Sequence, residues 1–193
     1  MRQESEKLGI FLHLDGARIW NAHIASGVDF KEYGKYFDTI SVCLSKGLGA
    51  PVGSLMVSTK DRVSKARPWR KRYGAGMRQA GILAAAGHYA LDNNLPLLKD
   101  DHRRAKSIAD AIYAVAPKLI DPSTVDTNIV GLDISTLKIT ASDLSAQLKE
   151  SGVLASALGP KYLRLVTQLD LTDGDIETVN QVLPQLLQRA LVL

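Results

Sequence analysis

Two residues stand out by position. Asp15 directly follows the apolar run Ile10-Phe11-Leu12-His13-Leu14. Lys46 stands two residues beyond a second run, 38–44, which is rich in β-branched side chains. The first run is short and almost wholly apolar, as expected of a strand covered on both faces. Ligands of open α/β sheets bind outside the carboxyl ends of the strands. The connection between the two runs is long enough for a crossover helix, so they can be parallel neighbours. An acid and a lysine would then project into one crevice. Taken singly, Asp15 reads as a helix cap and Lys46 as a solvated surface lysine. Both at matching strand ends, flanked by glycines, point to chemistry.

A lysine in a desolvated pocket loses its proton readily and forms a Schiff base with a carbonyl. One such use is pyridoxal phosphate, where a carboxylate partners the pyridine nitrogen and keeps it protonated. Such a site also needs groups for the cofactor phosphate and for a substrate carboxylate. Arg18, Lys71, Arg78 and Arg164 are available.

The elements that must position these residues follow from the pattern. Residues 2–8 read as the tail of a helix, 10–14 as a strand and 18–26 as a helix stopped by Gly27. Residues 30–36 look like a short polar connection. A strand over 38–44 leads to the Gly/Pro loop 45–51 and a third strand at 52–58. A basic helix at 59–72 is broken by Gly74-Ala75-Gly76. An Ala-rich helix at 79–93 and another at 95–116 follow. After the loop 117–127 come strands at 128–134, 153–156 and 162–167, a helix at 141–151, and a last helix from Thr172 interrupted by Pro184. The fold expected is α/β, a parallel-rich sheet with helices, followed by a small α+β domain. The division expected is 1–100 and 101–193. A buried strand so near the start suggests the later part of something longer.

The 193 residues carry a net charge of +4, but eight basic residues and one acid fall within 60–78, leaving the rest slightly acidic. The uncharged stretches 47–59 and 79–91, 13 residues each, are too short for a membrane-spanning helix, which needs ~18 or more. No apolar leader follows Met1. The single cysteine, Cys43, excludes an internal disulfide and suits a reducing, cytoplasmic setting. No Cys/His spacing suits a metal. Cys43 and His13 read as core residues, and Trp20 and Trp69 as packing.

Four segments in order carry a resemblance: His13-Leu14-Asp15-Gly16-Ala17-Arg18, Cys43 to Ser54 around Lys46, Gly74-Ala75-Gly76-Met77-Arg78-Gln79-Ala80-Gly81, and Arg164-Leu165-Val166-Thr167. Together they resemble the threonine aldolase family, near the β-eliminating lyases among fold-type-I pyridoxal phosphate enzymes. The resemblance implies a partial large cofactor domain and a complete small one. It implies pyridoxal 5'-phosphate as cofactor and retro-aldol cleavage of L-threonine or L-allo-threonine to glycine and acetaldehyde. By it, Lys46 matches the Schiff-base lysine and Asp15 the acid on the pyridine nitrogen. Arg18 and Arg164 match arginines for the substrate carboxylate; Arg78 and, less directly, Lys71 match the phosphate region. It implies a cytoplasmic homo-oligomer, a dimer or tetramer, acting on a small amino acid, with no nucleic acid or membrane partner.

The chain departs from the family pattern at Ala75, where a glycine is usual, and at Gln168, where a histidine is usual. It also lacks the family's long first segment, which supplies a phosphate loop and a histidine stacked on the cofactor ring. The expectation is therefore weak cofactor binding, little activity by the chain alone, and exposed surfaces prone to association. Three other readings compete: a related β-eliminating lyase, a nucleic-acid module built on 60–72, and an inactive scaffold.

Overall fold

The computed structural model describes residues 1–192. The chain divides into two compact units, Met1–Leu97 and Leu98–Leu193.

The first unit is built on a three-stranded sheet in the order β1-β2-β3. Strand β1 (His13–Gly16) runs parallel to β2 (Thr39–Cys43), with Asp15 beside Ser41. Strand β3 (Ser54–Ser58) returns antiparallel to β2. Helix α1 (Arg2–Lys7) precedes the sheet in sequence, and helices α2 (Ile19–Ser26) and α3 (Phe30–Tyr36) form the crossover between the parallel pair. Their apolar side chains Ile19, Trp20, Phe30 and Tyr33 gather with Leu14, Ile40, Val42 and Phe37 into one cluster. Helix α4 (Lys60–Arg72) starts on the Thr59 side chain, and α5 (Gly81–Asn93) follows the glycine turn.

Two sequence expectations are corrected here. The first strand lies at His13–Gly16 rather than 10–14, so Asp15 is inside it. The main chain before it is engaged elsewhere: Ile10 N–H donates to Ser5 O, and Leu12 N–H to Asp38 Oδ2. Ile10 and Phe11 are exposed, and Arg62 lies over the Phe11 ring. Residues 30–36 form a helix, α3, because the Asp29 side chain caps it by accepting from Lys31 N–H. Its polar composition hid the partly buried face made by Phe30 and Tyr33.

The second unit stacks helices α6 (Leu98–Val115), α7 (Ala141–Glu150) and α8 (Asp173–Val192) on an antiparallel sheet in the order β4-β6-β5. Strand β4 is Ile129–Asp133, β5 is Ser156–Gly159 and β6 is Tyr162–Val166. Val130, Leu132, Leu163 and Leu165 supply the sheet's half of the core. Helix α7 opens on a reciprocal Thr140–Asp143 capping box. Strand β5 begins at 156 rather than 153, because Val153 N–H closes the end of α7 on Leu148 O. Helix α8 continues through Pro184, contrary to the expected interruption. Leu183, Leu186 and Leu187 are buried around that proline, and this burial outweighs the lost hydrogen bond.

Candidate active site

Because β1 and β2 are parallel, their carboxyl ends lie at the same edge of the sheet. Asp15 reaches that edge from β1, and Lys46 from the loop directly after β2. Asp15 is exposed; its Oδ1 accepts the Ala17 N–H at 3.1 Å and its carboxylate pairs with no cation among the described residues. Gly16 makes the close approach possible. A Cβ there would lie 2.8 Å from Ser41 O and 3.1 Å from Ile40 Cγ2, so any side chain would push the two strands apart.

The Lys46 loop is held at its flanks, not at its tip. Leu44, Leu48 and Ala50 are buried together with Ala90 of α5, while Trp20 packs against them. Trp20 Nε1–H donates to Cys43 O at 2.7 Å, and Asn94 Nδ2–H to Leu48 O at 2.9 Å. Gly49 N–H closes a turn on Lys46 O, and Ala50 N–H bonds Leu44 O. The Lys46 side chain itself is exposed and makes no hydrogen bond or ion pair among the described residues.

The contrast with the other end of the sheet is electrostatic. Asp38, at the amino end of β2, accepts from Leu12 N–H, Arg2 Nη1 and Arg62 Nη2. The Leu12 amide, then the Arg2 guanidinium, hold its carboxyl below the usual range. That end is neutralised by the chain's own donors. The carboxyl end presents a carboxylate and an amine that make no ion pair among the described residues.

Arg18 stands at the N-cap of α2, three residues after Asp15. Lys71 lies in the last turn of α4, and Arg78 beyond the glycine turn. That turn folds back: Ala75 N–H bonds Arg70 O, and a Cβ on Gly76 would sit 3.2 Å from Lys71 Cγ. Lys71 and Arg78 are exposed and unpaired among the described residues. Arg164 belongs to β6 in the second unit, between Gly131 of β4 and Ser156 of β5. Its Nε is buried without a hydrogen-bond partner.

Trp20 is a packing residue. His13 is exposed rather than core, its Nδ1 within 2.7 Å of Thr39 Oγ1, because the strand is shifted. Trp69 is exposed and stacks on Tyr73, with Arg72 over its ring. Sequence reasoning missed Gly131. An isolated glycine inside a strand signals a close approach, and here the approach is that of the Tyr162 ring. No helix of the described residues is long and apolar enough to cross a membrane, and they hold no cluster of His, Cys, Asp and Glu suited to a metal ion.

The chain is similar in sequence and in fold to known proteins. Low-specificity L-threonine aldolase of Escherichia coli (strain K12) is 44% identical over 168 residues, covering 87% of this chain and 48% of that protein. Low-specificity L-threonine aldolase 1 of Arabidopsis thaliana is 39% identical over 173 residues, 89% of this chain and 48% of that protein. The chain thus spans about half the length of the curated relatives it matches. Among solved structures, the threonine aldolase of Leishmania major superposes with a TM-score of 0.75 at 20% identity, over 96% of this chain and 54% of that one. This likeness shows the fold, a part of the fold-type-I architecture. The sequence model of the beta-eliminating lyases matches residues 1–135, and the chain belongs to that family.

Proposed function

We propose that the chain carries the lysine-bearing part of a pyridoxal 5'-phosphate-dependent aldolase. Its substrate is L-threonine or L-allo-threonine, and its products are glycine and acetaldehyde. The observation that carries this reading is the placement of Asp15 and Lys46 at the same end of two parallel strands, neither in an ion pair among the described residues. The donor set suits the cofactor: an exposed carboxylate for a protonated ring nitrogen, a primary amine for its carbonyl carbon, and unpaired cations for its phosphate. When bound, pyridoxal phosphate supplies an electron sink for the pair left on the substrate α-carbon.

The chain's own residues do the rest. Asp15 Oδ holds the proton on the pyridine nitrogen, so that the ring stays electron-poor. Lys46 Nζ would hold the cofactor through its carbonyl carbon. Arg18 and Arg164 bind the substrate α-carboxylate; a guanidinium takes a carboxylate through two parallel hydrogen bonds and so fixes its orientation. That orientation would fix which bond at the α-carbon is presented for cleavage. Lys71 and Arg78 bind the phosphate. In this reading Met1–Leu97 is part of the cofactor domain, Leu98–Leu193 is the small domain, and the enzyme is a cytoplasmic dimer or tetramer.

The test is product analysis with added cofactor. Release of glycine and acetaldehyde from either threonine isomer, abolished in Lys46→Ala, supports the proposal. Turnover confined to cysteine-type substrates would identify a β-eliminating lyase instead. Turnover that survives Lys46→Ala contradicts the assignment of the lysine.

A further inference from the structure

Strand β6 alternates strictly. Leu163 and Leu165 point into the core, and Tyr162 and Arg164 stand on the opposite, outer face. Arg164 faces Gly131 across the β4–β6 ladder, and Tyr162 faces Asp133. The Tyr162 ring does not stand straight off the sheet. A Cβ on Gly131 would lie 2.0 Å from Tyr162 Oη and 2.8 Å from Cζ. The ring therefore leans along the strand over Gly131, into the space beside Arg164 that only a glycine leaves open.

Three further observations bear on what that space is for. Arg164 Nε is buried with no acceptor, and no carboxylate of the described residues pairs with this guanidinium. A half-buried cation without an acceptor is costly unless an anion arrives from outside. The Tyr162 hydroxyl makes no hydrogen bond among the described residues, and the residue is 43% exposed.

We propose that Tyr162 is a second donor in the anion site of Arg164, its phenolic O–H and the guanidinium holding one carboxylate, that of the amino-acid substrate. A carboxylate offers two oxygens and about four acceptor positions. The fork of Arg164 and the single O–H of Tyr162 use different ones. Tyr162 is then a substrate-binding residue, and Gly131 the gap that lets it reach. The proposal rests on the reading above that Arg164 binds the substrate carboxylate.

The experiment titrates the cofactor-loaded chain with glycine and with glycinamide, which keeps the amine and lacks the carboxylate. Wild type binds glycine more tightly than glycinamide. In Tyr162→Phe, glycine binding weakens roughly tenfold, the usual effect of losing a hydrogen bond to a charged group, and glycinamide binding changes far less. Gly131→Ala, whose methyl group displaces the phenol, shifts the preference in the same direction. An unchanged thermal melt of Tyr162→Phe shows that the fold is intact. If Tyr162→Phe binds glycine as wild type does while Arg164→Met does not, the role of Tyr162 is overturned and that of Arg164 stands. If Arg164→Met keeps the wild-type preference, or wild type has none, the assignment of Arg164 fails and this proposal falls with it.

Discussion

Asp101 shows most plainly what burial does to a single group. Its side chain is fully buried in the first turns of α6, and neither carboxylate oxygen has a hydrogen-bond partner. Arg104 Nη1 is 3.9 Å away, close enough to attract and too far to bond. Burial pushes the carboxyl up to about 6; Arg104 opposes the shift, and the charges of Asp100 and Asp170 add to it. A carboxyl raised in the folded state is neutral in both states at low pH. It costs stability as pH rises from the unfolded value through the folded one. A shift of about two units corresponds to about 3 kcal/mol once the group is ionised. We expect wild type to lose up to about that much stability between pH 4 and pH 8 from this group. Urea unfolding should show a flatter profile for Asp101→Asn over the same range. Parallel profiles for the two proteins would contradict the assignment. The main-chain oxygen of Asp101 accepts the Thr167 hydroxyl at 2.6 Å, which ties α6 to the end of the strand that carries Arg164. Residue type and position made Asp15 and Lys46 legible in the sequence. Burial of Asp101 and the lean of Tyr162 over Gly131 were not legible. Both depend on which distant segments pack together, and no local pattern encodes that.

At the scale of elements, the Lys46 loop is the clearest case of sequence dictating position. Its apolar residues at 44, 48 and 50 are the ones that become buried, and Gly49, at φ 77°, allows the turn between them. Leu48 is completely buried. Leu48→Ala should cost about 2–5 kcal/mol, the usual range for a cavity in a packed core. The loop should also hold Lys46 less firmly. Cofactor retained through gel filtration should fall in Leu48→Ala while the far-ultraviolet circular dichroism stays near wild type. Retention equal to wild type would show that the lysine needs no such support. Most helices and the β2, β4 and β6 strands were readable, since their periodicity and caps agree. The first strand was misplaced because an apolar run is ambiguous over several residues, and Asp38 captures the Leu12 amide before the ladder starts. Helix α3 escapes the pattern because its partly buried face is only a few residues wide. Strand β5 starts late because Gly152, at φ 82°, and Val153 are used in closing α7.

At the scale of the whole molecule, the chain carries two compact units and spans about half the length of its relatives. The first unit's sheet has only three strands, and β3 pairs on one side alone. Leu55, Met56 and Val57 on β3 are exposed, as an apolar edge strand that invites another chain would be. The basic helix α4 is partly accounted for by Arg62 on Asp38 and Lys65 on Asp61; Arg67, Arg70 and Lys71 make no ion pair among the described residues. Whether 193 residues suffice to direct the cofactor to one amine is therefore the central question. Pyridoxal phosphate reacts slowly with any accessible lysine amine, and this chain offers several, which makes selectivity the informative quantity. The purified chain would be incubated with pyridoxal phosphate, reduced with borohydride, digested and mapped by mass spectrometry. The account predicts that the pyridoxyl group is found chiefly on Lys46, and that Asp15→Asn lowers the yield at that residue. Labelling spread over the exposed lysines, Lys71 among them, with no preference for Lys46, would contradict it.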